Sequence, residues 1–232
     1  MKKIGIIGGL GPEATVDYYK RIVRFFYDKN QELTVPEIII YSVDIASLFK
    51  LVADQRWDSL TKWLVEKIIA LEKAGADFAV ISANTPHIVF DQVQSQSPLP
   101  LISIVEATLE SAKAKKFRKL GLLGTKFTMQ ANFFGKRFIQ DGIGVVVPNE
   151  REQQIVHEKL MNEIELGIFT EATRQQILSV VMNMRERNDI DAVILGCTEL
   201  PLILSDDATD IPMLNTTAIH VATICQRCLY DV

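Results

Sequence analysis

A six-residue stretch that occurs twice decides the fold of this 232-residue chain. KIGIIG at residues 3–8 returns as KLGLLG at residues 119–124. Two further pairs follow in the same order: residues 77–85 with 191–199, and residues 100–102 with 212–214. The paired segments start between 112 and 116 residues apart. Three ordered matches at a nearly constant separation predict a duplicated structural unit.

Each copy has the pattern of a parallel sheet covered by helices, because short apolar runs bounded by Gly or Pro alternate with runs of helical period. The predicted strands are residues 4–7, 37–43, 78–81, 101–104, 120–123, 144–147, 192–195 and 213–214. The predicted helices are residues 12–29, 58–74, 104–115, 130–140, 150–166, 171–188 and 216–229. The fold class is therefore α/β, with two pseudo-symmetric parallel-sheet halves.

The repeat also predicts how the chain is divided. We expect residues 1–98 with 208–232 to form the N-terminal half and residues 99–207 the C-terminal half, since the last segment crosses back. Ligands of open α/β sheets bind beyond the carboxyl ends of strands. We therefore expect the active site in the cleft between the two halves, where corresponding strand ends face each other.

The composition indicates an ordinary globular protein with 48% hydrophobic and 23% charged residues. A net charge of −4 argues against a dedicated nucleic-acid or anionic-membrane surface, and no apolar run is long enough to span a bilayer. Three cysteines are too few for a disulfide framework, so we expect reduced thiols and a cytoplasmic location. The C-x-x-C pair Cys225 and Cys228 is predicted to lie on the packed face of the terminal helix, with no metal site.

The turn at residues 8–13 superficially resembles a dinucleotide-binding loop. It lacks the third glycine of the G-x-G-x-x-G pattern. We interpret it as a turn that offers backbone N–H groups to a carboxylate at a helix N-terminus.

A candidate catalytic thiol follows the predicted strand 192–195, in the sequence GCTE at residues 196–199. A thiol at such a strand end can have a lowered pKa and act as base or nucleophile. A buried cysteine without chemistry is the alternative. The mirrored segment SANTPH at residues 82–87 puts polar groups at the equivalent strand end, and there Ala83 is the counterpart of Cys197.

Four motifs together resemble the aspartate/glutamate racemase family: GGLGPEAT at residues 8–15, NTPH at 84–87, GTKFTM at 124–129 and GCTE at 196–199. They occur in the family's order over essentially the whole chain. The resemblance implies two Rossmann-like domains without pyridoxal phosphate, other cofactor or metal. It also implies stereoinversion by two acid/base groups on opposite faces of the substrate α-carbon, which a duplicated fold supplies from equivalent positions.

The resemblance assigns roles residue by residue. Cys197 is the catalytic acid/base thiol, and position 83 is the place of the other acid/base group. The implied substrate-binding residues are Gly9, Leu10, Asn84, Thr85, Thr125, Thr128 and Thr198.

Two departures from the family pattern bear on the reaction. Ala83 stands where the family usually has Cys, or Thr in some L-specific members, and it cannot transfer a proton. Three explanations stay open: an engineered replacement, a natural single-base enzyme, or a protein that binds without turnover. Leu166, before Gly167, occupies the place of an expected lysine for the distal carboxylate in some aspartate racemases. His87 is interpreted either as a packing residue or as an acid that reaches the cleft.

The leading hypothesis is a cofactor-independent isomerase that racemises aspartate and/or glutamate. The alternatives are a single-cysteine decarboxylase of the same superfamily and a catalytically silent amino-acid or dicarboxylate-binding protein. The expected partner is a small acidic amino acid or dicarboxylate, with a homodimer as a further possibility.

Overall fold

The computed structural model describes residues 1–30, 33–204 and 209–230. The chain forms two compact units, one of Met1–Ala107 with Thr217–Val232 and the other of Thr108–Thr216. Each unit contains a four-stranded, all-parallel sheet. The predicted α/β class with two similar halves is confirmed.

In the first unit the sheet order is β2-β1-β3-β4. Its strands are β1 Ile4–Gly8, β2 Ile38–Ser42, β3 Phe78–Ile81 and β4 Leu101–Ile102. The helices along this part of the chain are α1 Pro12–Asn30, α2 Ile45–Ala53, α3 Trp57–Lys73, α4 Phe90–Gln96 and α5 Ile104–Ala114, with a 3₁₀ helix at Thr85–Val89. Strands β1 and β3 are buried throughout, as central strands of a covered parallel sheet should be.

The second unit repeats this order as β6-β5-β7-β8. Its strands are β5 Lys119–Leu123, β6 Gly144–Val146, β7 Ala192–Leu195 and β8 Met213–Asn215. The helices along the rest of the chain are α6 Lys126–Gln130, α7 Phe133–Ile139, α8 Glu150–Asn162, α9 Glu171–Asn188 and α10 Thr216–Leu229, with 3₁₀ helices at Ile164–Leu166 and Leu200–Leu202. Of these, α10 packs in the first unit. All eight predicted strands are present.

The sequence repeat is reproduced in the hydrogen bonds. The Asp77 carboxylate accepts from the Lys3 backbone N–H at 2.6 Å, and the Asp191 carboxylate accepts from the Lys119 N–H at 2.9 Å. The Ser82 N–H donates to the Ile7 carbonyl at the end of β1, and the Gly196 N–H donates to the Leu123 carbonyl at the end of β5. Equivalent residues therefore make equivalent hydrogen bonds in the two units.

The unit boundaries differ from the sequence prediction. The first lies after Ala107 instead of residue 98, because β4 pairs with β3 and stays with the first sheet. The second lies after Thr216, because β8 pairs with β7 and stays with the second sheet. The boundary expected between residues 207 and 208 lies outside the described residues.

Two predicted helices have other bounds in the structure. The helix expected at residues 150–166 ends at Asn162 and is followed by a 3₁₀ helix. The helix expected at residues 130–140 is α7, which begins at Phe133, and the short helix α6 before it was not predicted. Asn132 between them has a left-handed backbone with φ of 54°, which an α-helix does not contain. Thr125 starts α6 by capping it with its side chain.

Each unit has its own buried core. In the first unit Ile4, Ile6 and Phe78 of the sheet pack with Tyr18 of α1 and Ile224 of α10. In the second unit a separate cluster gathers residues of β5, β7, α8 and α9 and includes Cys197. Among the described residues, no helix is long and apolar enough to cross a membrane.

Candidate functional site

Cys197 lies immediately beyond the carboxyl end of β7. The preceding residue must be glycine, since a Cβ at Gly196 would lie 2.7 Å from Leu122 Cδ1 and 2.8 Å from the Leu123 carbonyl oxygen. The Gly196 N–H donates to that same carbonyl at 2.7 Å. This close contact between the ends of β5 and β7 fixes the backbone that carries Cys197.

Two carboxyl groups contact the Cys197 thiol. Sγ lies 3.1 Å from Glu199 Oε2 and 3.5 Å from Glu165 Oε1. The Thr198 hydroxyl donates to the same Glu199 oxygen at 2.8 Å. Cys197 and Glu199 are buried, and Glu165 is half-buried. The site in this unit is therefore a thiol between two acids, a grouping suited to proton transfer.

Glu165 was not predicted from the sequence. It lies in the 3₁₀ helix Ile164–Leu166, far along the chain from Cys197, and no local motif marks it. The neighbouring Leu166, which stands in the place of the lysine expected for the distal carboxylate, is 68% exposed. Of these two adjacent residues, the structure thus brings Glu165 to the thiol.

The electrostatics of Cys197 differ from the sequence prediction. Burial raises the pKa of the Cys197 thiol well above its usual value, and the charges of Glu199 and Glu165 raise it further. The expectation of a lowered pKa is therefore wrong, because burial and the two nearby acids outweigh the backbone donor from Glu199. Burial and the Glu199 charge also raise the pKa of Glu165, to about 8.

The two predicted threonines of this unit, Thr125 and Thr128, lie just after β5. The Thr125 hydroxyl accepts from the Thr128 N–H, and the two hydroxyls are 3.1 Å apart. A Cβ at Gly196 would lie 3.4 Å from Thr128 Cγ2, so Thr128 packs beside the strand end that carries Cys197. Four predicted residues, Thr125, Thr128, Cys197 and Thr198, thus meet at the ends of neighbouring strands β5 and β7.

The first unit places five predicted residues at the ends of neighbouring strands β1 and β3: Gly9, Leu10, Ala83, Asn84 and Thr85. Gly9 has φ of +78°, and a Cβ there would lie 2.4 Å from the Val43 carbonyl oxygen. Its N–H donates to the Thr15 hydroxyl at 2.8 Å. The Gly9 N–H is therefore bound within the protein. The expectation that N–H groups of this turn bind a carboxylate stays a prediction.

Ala83 and Asn84 are buried, and Thr85 begins the 3₁₀ helix that follows. The adjacent Ser82 cannot replace the missing acid/base group at position 83. It is completely buried, and its hydroxyl donates to the Ile7 carbonyl at 3.0 Å.

His87 is a packing residue. Its Nδ1 lies 2.9 Å from the Ala83 carbonyl oxygen, and the Ile104 N–H donates to its Nε2. This pair of bonds requires a neutral ring with the proton on Nδ1. Burial and then the neighbouring His220 lower the pKa of His87 to about 3. The alternative interpretation as an acid is not supported, because the ring is neutral at ordinary pH.

The other two cysteines belong to the first unit. Cys225 and Cys228 are buried free thiols in the core of the first unit, as predicted for the packed face of the terminal helix. The Cys228 thiol donates to the Lys2 carbonyl at 3.0 Å.

The donor atoms of Glu165, Cys197 and Glu199 lie within 4.8 Å of one another, which is also close enough for a cation. Protons shared between the thiol and the two carboxyl groups account for the same short distances. The expectation that the chain uses no metal and no cofactor stays a prediction.

The model of the Asp/Glu/hydantoin racemase family matches residues 7–224. The chain belongs to that family. The family resemblance carried by the four motifs is confirmed, and with it the isomerase class.

Individual relatives agree with this membership. The chain is 36% identical to an aspartate racemase homologue from Pyrococcus horikoshii, with a TM-score of 0.87 and coverage of 99% of this chain and 100% of that one. It is 24% identical over 218 residues to the broad specificity amino-acid racemase RacX of Bacillus subtilis, covering 93% of each chain. The aspartate racemase of Picrophilus torridus shares the fold, with a TM-score of 0.80, 23% identity and coverage of 98% and 94%.

Proposed function

We propose that this racemase acts on aspartate and/or glutamate and that Cys197 is its acid/base thiol. The observation that carries the proposal is the position of Cys197, fixed at the end of β7 between two carboxyl groups. The family's acidic-amino-acid members and the aspartate racemase homologue support the choice of substrate.

In this mechanism the Cys197 thiolate removes the α-hydrogen of the amino acid, and the electron pair stays on the α-carbon. The same thiol, now protonated, returns a proton to that carbon. Backbone amides and the Thr198 side chain beside the thiol hold the α-carboxylate, and this stabilises the carbanion. The family resemblance gives the same role to Asn84 and Thr85, and it makes Gly9, Leu10, Thr125 and Thr128 substrate-binding residues.

Position 83 sets the outcome of the reaction. In the sequence repeat Ala83 is the counterpart of Cys197, and its methyl group can neither give nor take a proton. We infer that the protein exchanges the α-hydrogen of one enantiomer for a hydrogen from solvent. The configuration of that enantiomer is retained. Net inversion is then slow.

The test uses L- and D-aspartate and L- and D-glutamate separately in deuterated water. Proton NMR follows loss of the α-hydrogen, and chiral chromatography follows the opposite enantiomer. The proposal expects deuterium in one enantiomer of at least one acid. Absence of exchange in all four amino acids would contradict it.

A second candidate function is favoured by the same alanine. A decarboxylase of this superfamily needs one thiol, because the substrate loses carbon dioxide and the carbanion takes up a single proton. The buried Ala83 fits that requirement. Release of carbon dioxide from substituted malonates, without exchange in amino acids, would select this function.

A catalytically silent binding protein would instead be stabilised thermally by these acids with neither exchange nor decarboxylation. The proposed partner in each case is a small acidic amino acid or dicarboxylate.

Three further expectations stay predictions: assembly as a homodimer, a cytoplasmic location and the absence of nucleic-acid partners.

A further inference from the structure

The buried ring of His87 makes two hydrogen bonds, and one of them reaches position 83. The Ile104 N–H can only donate, so His87 Nε2 accepts from it at 3.2 Å and the ring proton is on Nδ1. Nδ1 donates to the Ala83 carbonyl at 2.9 Å. The ring stacks on Phe90 with the ring centroids 5.1 Å apart. The carbonyl of the position that lacks an acid/base group is therefore held by a side chain that is itself fixed.

The second unit shows why this carbonyl takes a side-chain donor. There the Cys197 carbonyl, the counterpart of the Ala83 carbonyl, accepts from the Leu200 N–H at 3.2 Å. These two segments lie 114 residues apart, so the counterpart of Leu200 is Pro86, which has no N–H. The ring of His87 supplies the donor that Pro86 lacks. Both units thus hold the carbonyl at the acid/base position, one with a backbone donor and the other with an imidazole.

The bond from His87 fixes a whole peptide group. The Ala83 carbonyl and the Asn84 N–H belong to one planar trans peptide, so they point in opposite directions. A donor on the carbonyl therefore also fixes how the backbone enters Asn84. Ala83 and Asn84 are both buried, and the family resemblance makes Asn84 a substrate-binding residue. The orientation of this peptide consequently bears on how the substrate is held.

We propose that His87 is a positioning residue for substrate binding. It holds the peptide between Ala83 and Asn84, so that Asn84 keeps the orientation in which it binds the α-carboxylate of the amino acid. In this role the ring transfers no proton and does not touch the substrate. The inference rests on the proposed function, because it takes an amino-acid carboxylate as the ligand of Asn84.

Two substitutions separate the two bonds of the ring. The amide nitrogen of Asn lies as far from the backbone as Nδ1 does, so His87→Asn keeps a donor for the Ala83 carbonyl and loses the bond from Ile104. The amide of Gln reaches the place of Nε2, so His87→Gln keeps an acceptor for Ile104 and loses the bond to Ala83. Each variant lacks one hydrogen bond of the ring, so urea unfolding should show similar losses of stability.

NMR reads the hold on this peptide directly. Labelled carbonyl carbon in alanine and labelled nitrogen in asparagine give a coupled signal only from Ala–Asn peptides, and the chain has two, at residues 83–84 and 131–132. The Ala83 signal should move in His87→Gln and stay near its wild-type position in His87→Asn. The Ala131 signal, from the second unit, is the internal reference. An Ala83 signal that stays in place in His87→Gln would overturn the proposal.

Substrate binding gives the second readout, measured as KM and kcat of α-hydrogen exchange with aspartate or glutamate. In His87→Gln the KM should rise about three- to tenfold, the usual net contribution of one hydrogen bond, with kcat little changed. His87→Asn should restore a KM near that of the wild type. A role in stability alone would raise KM equally in the two variants, and that result would also overturn the proposal.

His220→Gln is the matched control, because it alters another buried histidine of the first unit that bonds to the Ile102 carbonyl and not to Ala83. Its KM should match that of the wild type, and a rise equal to that in His87→Gln would contradict the proposal. Failure of the racemase proposal is a separate result, namely no exchange in any variant. The NMR signal reads the Ala83 carbonyl whether or not the protein turns over.

Discussion

At the scale of single residues, the chemistry depends on what surrounds one thiol. The chain has three cysteines, and all are buried, so burial alone does not distinguish Cys197. Its contacts do, because two carboxyl groups meet its Sγ, whereas the Cys228 thiol donates to a backbone carbonyl.

Serine at each of these two positions separates chemistry from packing. Cys197→Ser should fold normally and lose α-hydrogen exchange by about a hundredfold or more, the usual contribution of a general acid/base group. Cys228→Ser is the control, because a hydroxyl can keep the bond to the Lys2 carbonyl. Exchange should be measured by NMR and folding by circular dichroism. Equal losses in the two variants would remove the special role of Cys197.

The sequence predicted this thiol and its counterpart Ala83 because the repeat aligns them and the strand pattern puts them at equivalent ends. It did not predict Glu165, since a 3₁₀ turn has no periodic signal and its contact with Cys197 is purely tertiary. It also gave the wrong direction for the thiol pKa. That direction depends on burial and on the charges of Glu199 and Glu165. Glu199 stands in the local motif, but the motif reveals neither the burial nor Glu165.

At the scale of secondary structure, the site depends on how closely two strand ends approach. Gly196→Ala should destabilise the fold by about 1–3 kcal/mol, the usual cost of overpacking, because its Cβ would meet Leu122 and the Leu123 carbonyl below 3.0 Å. Exchange activity should fall as well, since Cys197 follows directly.

Gly144→Ala is the matched control on neighbouring strand β6. An added Cβ there meets nothing closer than 3.8 Å, so urea unfolding should show little change. If Gly196→Ala unfolds at the same urea concentration as Gly144→Ala, the close approach of β5 and β7 is not a constraint.

The strands were predictable because each is a short apolar run between Gly or Pro. Helices α2, α4 and α6 were not predicted, and the break at Asn132 was not either, because helical period continues through it. These errors displaced none of the predicted site residues, since those residues follow strands.

At the scale of the whole molecule, the duplicated fold is stable partly through a buried histidine pair in the first unit. The Tyr18 hydroxyl lies 2.8 Å from His220 Nδ1, and His220 Nε2 lies 3.0 Å from the Ile102 carbonyl oxygen. Burial is the main cause that lowers the pKa of His87 to about 3 and that of His220 to about 4.

This pair predicts acid sensitivity. Both rings stay neutral in the folded protein, whereas in the unfolded chain they take up protons as the pH falls below the ordinary value of 6.5. The stability that comes from burying neutral rings is therefore present above pH 6.5 and is lost as the pH falls toward 4. Each histidine contributes a slope of up to about 1.4 kcal/mol per pH unit in that window.

His87→Gln should reduce that slope, whatever its effect on stability at neutral pH. Urea unfolding at several pH values between 6.5 and 4 measures it, with wild type as reference. Parallel curves for the two proteins would show that His87 is not responsible.

The duplication also supplies the most direct test of the central claim. In that claim the protein is a racemase in which position 83, the counterpart of Cys197, lacks its acid/base group. Ala83→Cys should convert the protein from exchange with retention to inversion, because the repeat gives this position the same place after its strand. The opposite enantiomer of aspartate or glutamate should form about 100- to 10,000-fold faster than with the wild type, measured by chiral chromatography. A well-folded Ala83→Cys protein that forms no opposite enantiomer, while the wild type decarboxylates malonates, would contradict the account.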